Sequence, residues 1–132
     1  MAKVDVWVSN QITLRFNWSQ SSQSIANNNS VVSWNLQLIA SGGSISFSAS
    51  KSWSVTVNGS NYSGTNTVGV SNGQTKTLAS GSTTIAHNAD GTKSFSFSFS
   101  QQFDINYSGV GWIGTKSGSG NGTLTTIPRT SS

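Results

Sequence analysis

Alternation of apolar and polar residues is the feature that most constrains the fold of this chain. In residues 12–18, 32–38 and 45–57 nearly every second position is apolar, and in residues 95–107 a run of Ser-Phe repeats leads the same pattern. A period of two places successive side chains on opposite faces of a strand. Each segment therefore predicts a strand with one apolar face and one hydroxyl-rich face.

Turn signals separate these runs. The dipeptides Asn58-Gly59, Asn72-Gly73 and Asp90-Gly91 favour tight turns, because Asn, Asp and Gly tolerate positive φ. The segment "KSGSGNG", residues 116–122, reads as a flexible loop. Shorter strands are predicted between the turns, at residues 4–8, 67–70, 74–79, 82–86 and 121–127.

The fold class follows from strands that have one wet face and one apolar face. Two antiparallel sheets packed face to face bury all the apolar faces at once. We therefore expect one all-β domain over residues 1–132, an antiparallel β-sandwich of about seven to nine strands. A closed barrel is the competing architecture. The strand count and the segment "ADGTKSF", which resembles a corner of immunoglobulin-like domains, favour an immunoglobulin-like strand order over a jelly roll.

Composition narrows the classes of partner. Only 8% of residues are charged, and the formal net charge is +4. The basic residues are scattered singly, whereas nucleic-acid binders cluster them, so no nucleic-acid partner is predicted. Without Cys there is no disulfide framework and no thiolate metal site. The chain begins Met-Ala-Lys without an apolar leader and contains no long apolar run, so we predict neither a signal peptide nor a membrane partner.

Catalytic groups are scarce. The only carboxylates are Asp5, Asp90 and Asp104, and the only histidine is His87. A glycosidase needs paired carboxylates, and one His with one Asp is too small a set for zinc. We therefore predict a protein that is not an enzyme and that has no catalytic residues, metal site or cofactor. The segment "HNADG" is interpreted as a corner between strands, in which the Asn88 and Asp90 side chains bond nearby backbone N–H groups.

Aromatic residues are the better candidates for a ligand site. Most of them fall on alternating apolar faces and are assigned to the core, but Trp7 breaks register with its neighbours and is expected on a wetter face. The loop "DINYSGVGWIG", residues 104–114, combines aromatic, amide and carboxylate side chains around glycines. The alternative is that these aromatics pack under loops or form a subunit interface. The candidate ligand-binding residues are Asp104, Asn106, Tyr107 and Trp112, together with Tyr62 in the hairpin "NGSNYSG".

Several longer segments resemble a known family. The segments are "WSQSSQSIANNNSVVSWNLQL", "YSGTNTVGV", "TIAHNADGTKSFSFSFSQQF" and "GNGTLTTIPRTSS", with "IAHNADGTK" and "LTTIPR" the most specific. From about residue 11 onward the chain resembles a domain of siphophage tail proteins, the minor structural and host-specificity proteins of phages of Gram-positive cocci. In such proteins "IPR" commonly closes one domain and leads into the next, so the resemblance implies one domain of a longer tail protein.

The resemblance implies a component of the virion tail, made in the host cytoplasm without a signal peptide, and it carries over no active site. Our first hypothesis is a tail-tip or baseplate module that recognises host cell-wall polysaccharide during adsorption. The alternative is a structural spacer or assembly domain that contacts other phage tail proteins. A homo-oligomer in the virion is compatible with both hypotheses.

Overall fold

The computed structural model describes residues 2–107 and 109–129, and these residues form ten β-strands and no helix. Ser108, inside the predicted ligand loop, and residues 130–132, the end of the last family-like segment, lie outside the described residues. The strands are β1 Ala2–Ser9, β2 Ile12–Ser24, β3 Asn29–Ala40, β4 Lys51–Val57, β5 Ser60–Asn66, β6 Thr75–Ala86, β7 Ser94–Gln101, β8 Ile105–Tyr107, β9 Gly111–Ile113 and β10 Lys116–Thr123.

Two four-stranded antiparallel sheets form a sandwich, which confirms the predicted fold class. The described residues form ten strands where seven to nine were predicted, because the 104–114 loop contributes the two short strands β8 and β9. The first sheet has the order β1-β2-β3-β6 and the second has the order β10-β7-β4-β5. Strands β8 and β9 form a separate two-stranded hairpin, the β8–β9 hairpin. The immunoglobulin-like strand order stays a prediction.

The apolar faces of the two sheets meet in one core. The ring of Phe16 in β2 stacks on Phe97 and Phe99 of β7, with centroid separations of 4.9 and 5.1 Å. Trp34 of β3 lies beside the same ring at 6.2 Å, and all four side chains are buried. Stacked aromatic rings add to the stabilisation that burial of their apolar surface already supplies. The alternating positions that the sequence assigned to the core therefore join the two sheets.

Large aromatic side chains of the core lie over glycines of the neighbouring strand. The ring of Phe97 covers Gly120, so that a Cβ atom on this glycine would lie 2.7 Å from the ring. The same relation recurs in both sheets, in the pairs Phe99–Gly118, Phe97–Gly120, Phe95–Gly122, Trp34–Gly81 and Trp53–Gly64. Glycine in a strand marks a place where another group must approach the backbone closely. Here the approaching group is an aromatic ring.

The prediction of a flexible loop at 116–122 is wrong for this reason. These residues belong to β10, which pairs with β7 in unbroken register from Lys116 opposite Gln101 to Thr123 opposite Ser94. The glycines of "KSGSGNG" alternate inward beneath the three Phe rings, and the Ser and Asn residues face outward. The strand predicted at 121–127 accordingly begins earlier and ends at residue 123.

Other predicted strands differ in extent. The strand predicted over 45–57 forms only from Lys51, and Ile45 makes an isolated bridge to Val70. The run predicted over 95–107 is interrupted after Gln101, where β7 ends. Asp104 then takes a positive φ of 47° before the β8–β9 hairpin starts. The predicted strands 74–79 and 82–86 form one strand, β6.

The solvent face of the second sheet contains only small neutral polar side chains. The hydroxyls of Ser54 and Ser100 are 2.7 Å apart across β4 and β7. The outward residues of the four strands are Ser52, Ser54, Thr56, Asn61, Ser63, Thr65, Ser94, Ser96, Ser98, Ser100, Ser117, Ser119, Asn121 and Thr123. We call this surface the hydroxyl face.

Candidate functional site

The segment "HNADG" forms a hydrogen-bonded corner between β6 and β7. The His87 ring is buried, with Nδ1 2.7 Å from the Gly91 carbonyl oxygen and Nε2 2.7 Å from the Ser30 hydroxyl. Because a carbonyl only accepts, we assign the ring proton to Nδ1, and Nε2 then accepts from Ser30. Both ring nitrogens are therefore engaged in holding the corner.

The acidic residue of this corner bonds locally. Asp90 Oδ1 accepts from the Thr92 N–H at 3.0 Å and from the Thr92 hydroxyl at 2.6 Å. These bonds lower the pKa of Asp90, since they favour its charged form. Asn88 departs from the prediction, because its side chain donates to the Thr92 hydroxyl at 3.2 Å and not to the backbone. Among the described residues no group of three or more His, Cys, Asp or Glu could hold a metal ion.

Gly91 closes the corner and ties the C-terminal segment to it. Its φ is 87°, and its carbonyl oxygen accepts from the Ile127 N–H at 2.9 Å as well as from His87. The side chain of Ile127 is fully buried. The corner therefore serves as an attachment point for the segment after β10.

Acid should weaken the fold through two of its carboxylates. The Arg15 guanidinium donates to both oxygens of Asp5, at 2.7 and 3.0 Å, and thereby lowers the pKa of Asp5, as Thr92 does for Asp90. Such a group stabilises the fold above its unfolded pKa of about 3.9, and this contribution is lost as pH falls through the folded-state value. For the exposed Asp5 pair it is no more than about 1 kcal/mol.

We therefore expect a Tm difference between the wild type and the double variant Asp5→Asn, Asp90→Asn. It should be present above about pH 4 and shrink as the pH approaches about 2. Thermal unfolding followed by circular dichroism across this range measures it. A difference that stays constant down to the lowest pH would contradict the assignment.

The β8–β9 hairpin places an exposed indole beside an amide. Asn106 and Trp112 are cross-strand partners and both are exposed, with Trp112 63% accessible to solvent. The neighbouring pair, Ile105 and Ile113, points the other way into the core. Side chains directly opposite each other on one face of an antiparallel pair lie within contact distance. The hairpin is therefore anchored by its isoleucines and presents Asn106 and Trp112 to solvent.

Asp104 borders the same open surface. A Cβ atom on Gly114 would lie 3.6 Å from Trp112 Nε1 and 3.9 Å from Asp104 Oδ1. The indole N–H of Trp112 and the carboxylate of Asp104 therefore lie on either side of Gly114, which leaves the space between them open. Asp104 Oδ2 accepts from Gln102 Nε2, and the Asp104 carbonyl oxygen accepts from the Lys51 ammonium at 3.4 Å, so its position is held from both sides.

A groove of about 300 Å³ runs beside the hairpin. Tyr107 and Asn106 form one wall and residues 44–47 the other, with Phe47 partly exposed. The Tyr107 hydroxyl donates to Gln11 Oε1 at 3.3 Å, which leaves the ring against the groove. Larger hollows exist on the hydroxyl face, where a hollow of about 500 Å³ is lined mainly by serines. The groove at the hairpin differs from the serine-lined hollow because its lining includes two aromatic side chains, Phe47 and Tyr107, and the amide residue Asn106.

The fifth candidate, Tyr62, lies apart from the hairpin residues. Its ring packs 5.3 Å from that of Trp34, and its hydroxyl donates to the Ser82 carbonyl oxygen at 3.2 Å and is 2.8 Å from the Thr83 hydroxyl. Tyr62 therefore bridges β5 to β6 at the rim of the core. The structure groups Asp104, Asn106 and Trp112 at one surface. Tyr107 lies on the opposite face of the hairpin, where it lines the groove, and Tyr62 is brought to neither.

Sequence reasoning missed Phe47, Gln11 and Gly114 as members of this surface. Phe47 belongs to the alternating run 45–57, which predicts a strand, but the strand β4 begins only at Lys51. Gly114 follows Trp112 by two residues, and this spacing was the available signal. Trp7 is 58% exposed as predicted, and the Lys116 ammonium lies 5.7 Å from its ring centroid, a cation–π distance.

The structure defines an all-β sandwich domain with an exposed tryptophan, Trp112, on its β8–β9 hairpin. Residues 4–132 match the model of a protein family described as "Siphovirus protein of unknown function (DUF859)", and the chain belongs to this family. No curated protein and no solved structure matches the chain. The phage origin expected from the sequence is therefore confirmed, and the match extends a few residues further toward the N-terminus than the resemblance did.

None of the described residues forms a helix long and apolar enough to cross a membrane.

Proposed function

We propose that this protein is a non-catalytic module of a phage tail tip or baseplate that binds saccharide of the host cell wall during adsorption. The observation that carries the proposal is the exposed Trp112 indole, paired with the Asn106 amide on one short hairpin and flanked by the carboxylate of Asp104 just before it. Binding sites combine an apolar surface with a few placed polar groups. A sugar ring offers an apolar face and a rim of hydroxyls, so it matches such a surface.

The groove adjoins this surface at Asn106, on the face of the hairpin opposite to Trp112. Asn106 belongs both to the Trp112 pair and to the groove wall that contains Tyr107. The proposed ligand is therefore an extended saccharide that contacts the hairpin on both sides of Asn106. The partner is then a wall polysaccharide, the protein acts in the virion, and no cofactor, nucleic acid or membrane takes part.

Substitution of the indole tests the proposal. A fluorescent fusion of the protein is titrated onto intact Gram-positive cocci and onto their purified wall polysaccharide. We expect Trp112→Ala to weaken binding at least about tenfold, equivalent to about 1.4 kcal/mol. Tyr107→Ala should weaken it less, because this ring is only partly exposed.

Trp7→Ala is the matched control, since Trp7 is comparably exposed but lies outside the hairpin. It should leave binding within about twofold of the wild type. A folded protein that does not bind the cells, or a Trp112→Ala variant that binds as well as the wild type, would overturn the proposal. The first of these results would favour the alternative, a structural spacer or assembly domain of the tail.

A further inference from the structure

The edges of the two sheets are protected unequally. Edge strands expose unpaired N–H and C=O groups, and proteins usually blunt them with charges, bulges or covering segments. β1 has charged Lys3 and Asp5, and its pairing with β2 is broken by a bulge between Trp7 and Ser9. β6 carries Lys76, and its register with β3 also shifts.

The edge strand β10 carries the charged Lys116 and packs against β1. A Cβ atom on Gly118 would lie 2.9 Å from the Val6 side chain, and the Lys116 ammonium lies over the Trp7 ring. The remaining edge, β5, has the sequence "SNYSGTN", without charge or proline. Its seven pairs with β4 run from Val57–Ser60 to Lys51–Asn66 without a register shift. β5 is thus the edge strand without a charge, a proline or a bulge. Its contacts with β6 come from two even-numbered residues, Tyr62 and Asn66, whose side chains donate to the Ser82 and Leu78 carbonyl oxygens.

The hydrogen bonds of β4 show which groups of β5 are free. The Ser52 carbonyl accepts from Gln102 N–H and the Asn58 N–H donates to the Ser96 carbonyl, so even-numbered residues of β4 bond toward β7. Odd-numbered residues of β4 therefore bond to β5, where their partners are even-numbered. The backbone groups of the odd residues Asn61, Ser63 and Thr65 consequently point away from the sheet.

We propose that β5 is a self-association edge, at which the β5 strand of a second copy of this chain pairs antiparallel. An antiparallel pair of identical strands is related by a twofold axis, so the same surface serves both partners. With the axis at Ser63, the middle of the strand, Ser63 opposes its own copy and Asn61 opposes Thr65. Each of these residues then exchanges two backbone hydrogen bonds with its partner.

A second copy fits this edge better than a charged partner does. The outward side chains at 61, 63 and 65 are small and neutral, so no like charges face each other within the paired strands. The pairing is also closed, because a twofold-related pair uses the β5 edge of both copies and leaves neither edge free. The product is a dimer with an eight-stranded second sheet and a continuous hydroxyl face.

Sedimentation equilibrium of the wild type over a concentration series tests the proposal, together with Ser63→Lys and Ser63→Asp. The wild type should reach twice the mass of one chain. Each variant alone places like charges directly opposite across the axis and should dissociate at least about tenfold more readily. Mixing the two variants should restore the dimer, because opposite charges then face each other.

Ser119→Lys is the matched control, since Ser119 lies on the same hydroxyl face but in β10. It should dimerise as the wild type does. Amide hydrogen exchange should show protection of residues 61, 63 and 65 that rises with protein concentration. A wild type that remains monomeric, a mixture that fails to associate, or equal dissociation by Ser119→Lys would overturn the proposal. The test uses no saccharide, so its outcome is independent of the proposed function.

Discussion

Gly91→Ala is expected to cost at least about 3 kcal/mol of unfolding free energy. Gly91 has a φ of 87°, and an added Cβ atom would collide with the Ile127 carbonyl oxygen and lie 3.0 Å from its carbonyl carbon. Backbone cannot rotate away as a side chain can, so the corner or the C-terminal segment must shift. Either movement disturbs the Gly91 carbonyl that binds both His87 and Ile127.

Gly73→Ala separates backbone strain from collision. Gly73 has a similar φ of 78°, but nothing lies within 4 Å of an added Cβ atom. It should lose only about 1 kcal/mol, the cost of a left-handed conformation for a residue with a side chain. Chemical denaturation of both variants measures the difference. Equal losses would mean that the C-terminal segment is not held against the corner as described.

Gly120→Val should cost about 3 kcal/mol, because it fills the space that the Phe97 ring occupies. An added Cβ atom would lie 2.7 Å from the end of this ring. Phe97 cannot swing aside, since it is buried and stacked on Phe16 with a centroid separation of 4.9 Å. The strand β10 must therefore move away from the core, which loosens its pairing with β7.

The adjacent residue provides the control for this prediction. Ser119 lies in the same strand but faces solvent, opposite Ser98. Ser119→Val introduces the same β-branched side chain and should change the unfolding free energy by no more than about 0.5 kcal/mol. Thermal and denaturant unfolding of the pair tests the explanation, and similar losses for both variants would exclude the ring–glycine contact as the cause.

The sandwich could be predicted because its signal is local. Alternation assigns each side chain to a face without knowledge of the partner strand, and the buried Phe95, Phe97 and Phe99 follow it. Strand ends could not be predicted, because they depend on distant partners. Residues 45–50 alternate like a strand, but β7 ends opposite Trp53, so they have no strand to pair with on that side.

Glycine was the main source of error. Seen alone, "KSGSGNG" carries the composition of a flexible loop. Its strand character emerges only when its glycines are aligned with the phenylalanines of β7, more than fifteen residues earlier in the chain. The meaning of these glycines is therefore a property of two segments and not of one.

For the candidate site too, residues close in sequence could be placed together, and contacts between distant strands could not be predicted. Asp104, Asn106, Tyr107 and Trp112 come from one short segment, and the structure places them on and beside one hairpin. Tyr62 was grouped with them by residue type alone. Its actual neighbours, Trp34 and Thr83, come from two other strands. Register between distant strands thus decides which aromatics meet.

The aromatic rings that cover glycines also bear on how such a sequence can change over time. Each ring and the glycine beneath it divide one fixed volume between two positions. A smaller residue in place of Phe97 leaves a void, and a larger one in place of Gly120 has no room. In related chains, a smaller residue at the aromatic position should therefore be accompanied by a larger residue at the glycine position. Covariation of paired sites, rather than identity at either one, is then the trace by which divergent copies of this sandwich can be recognised.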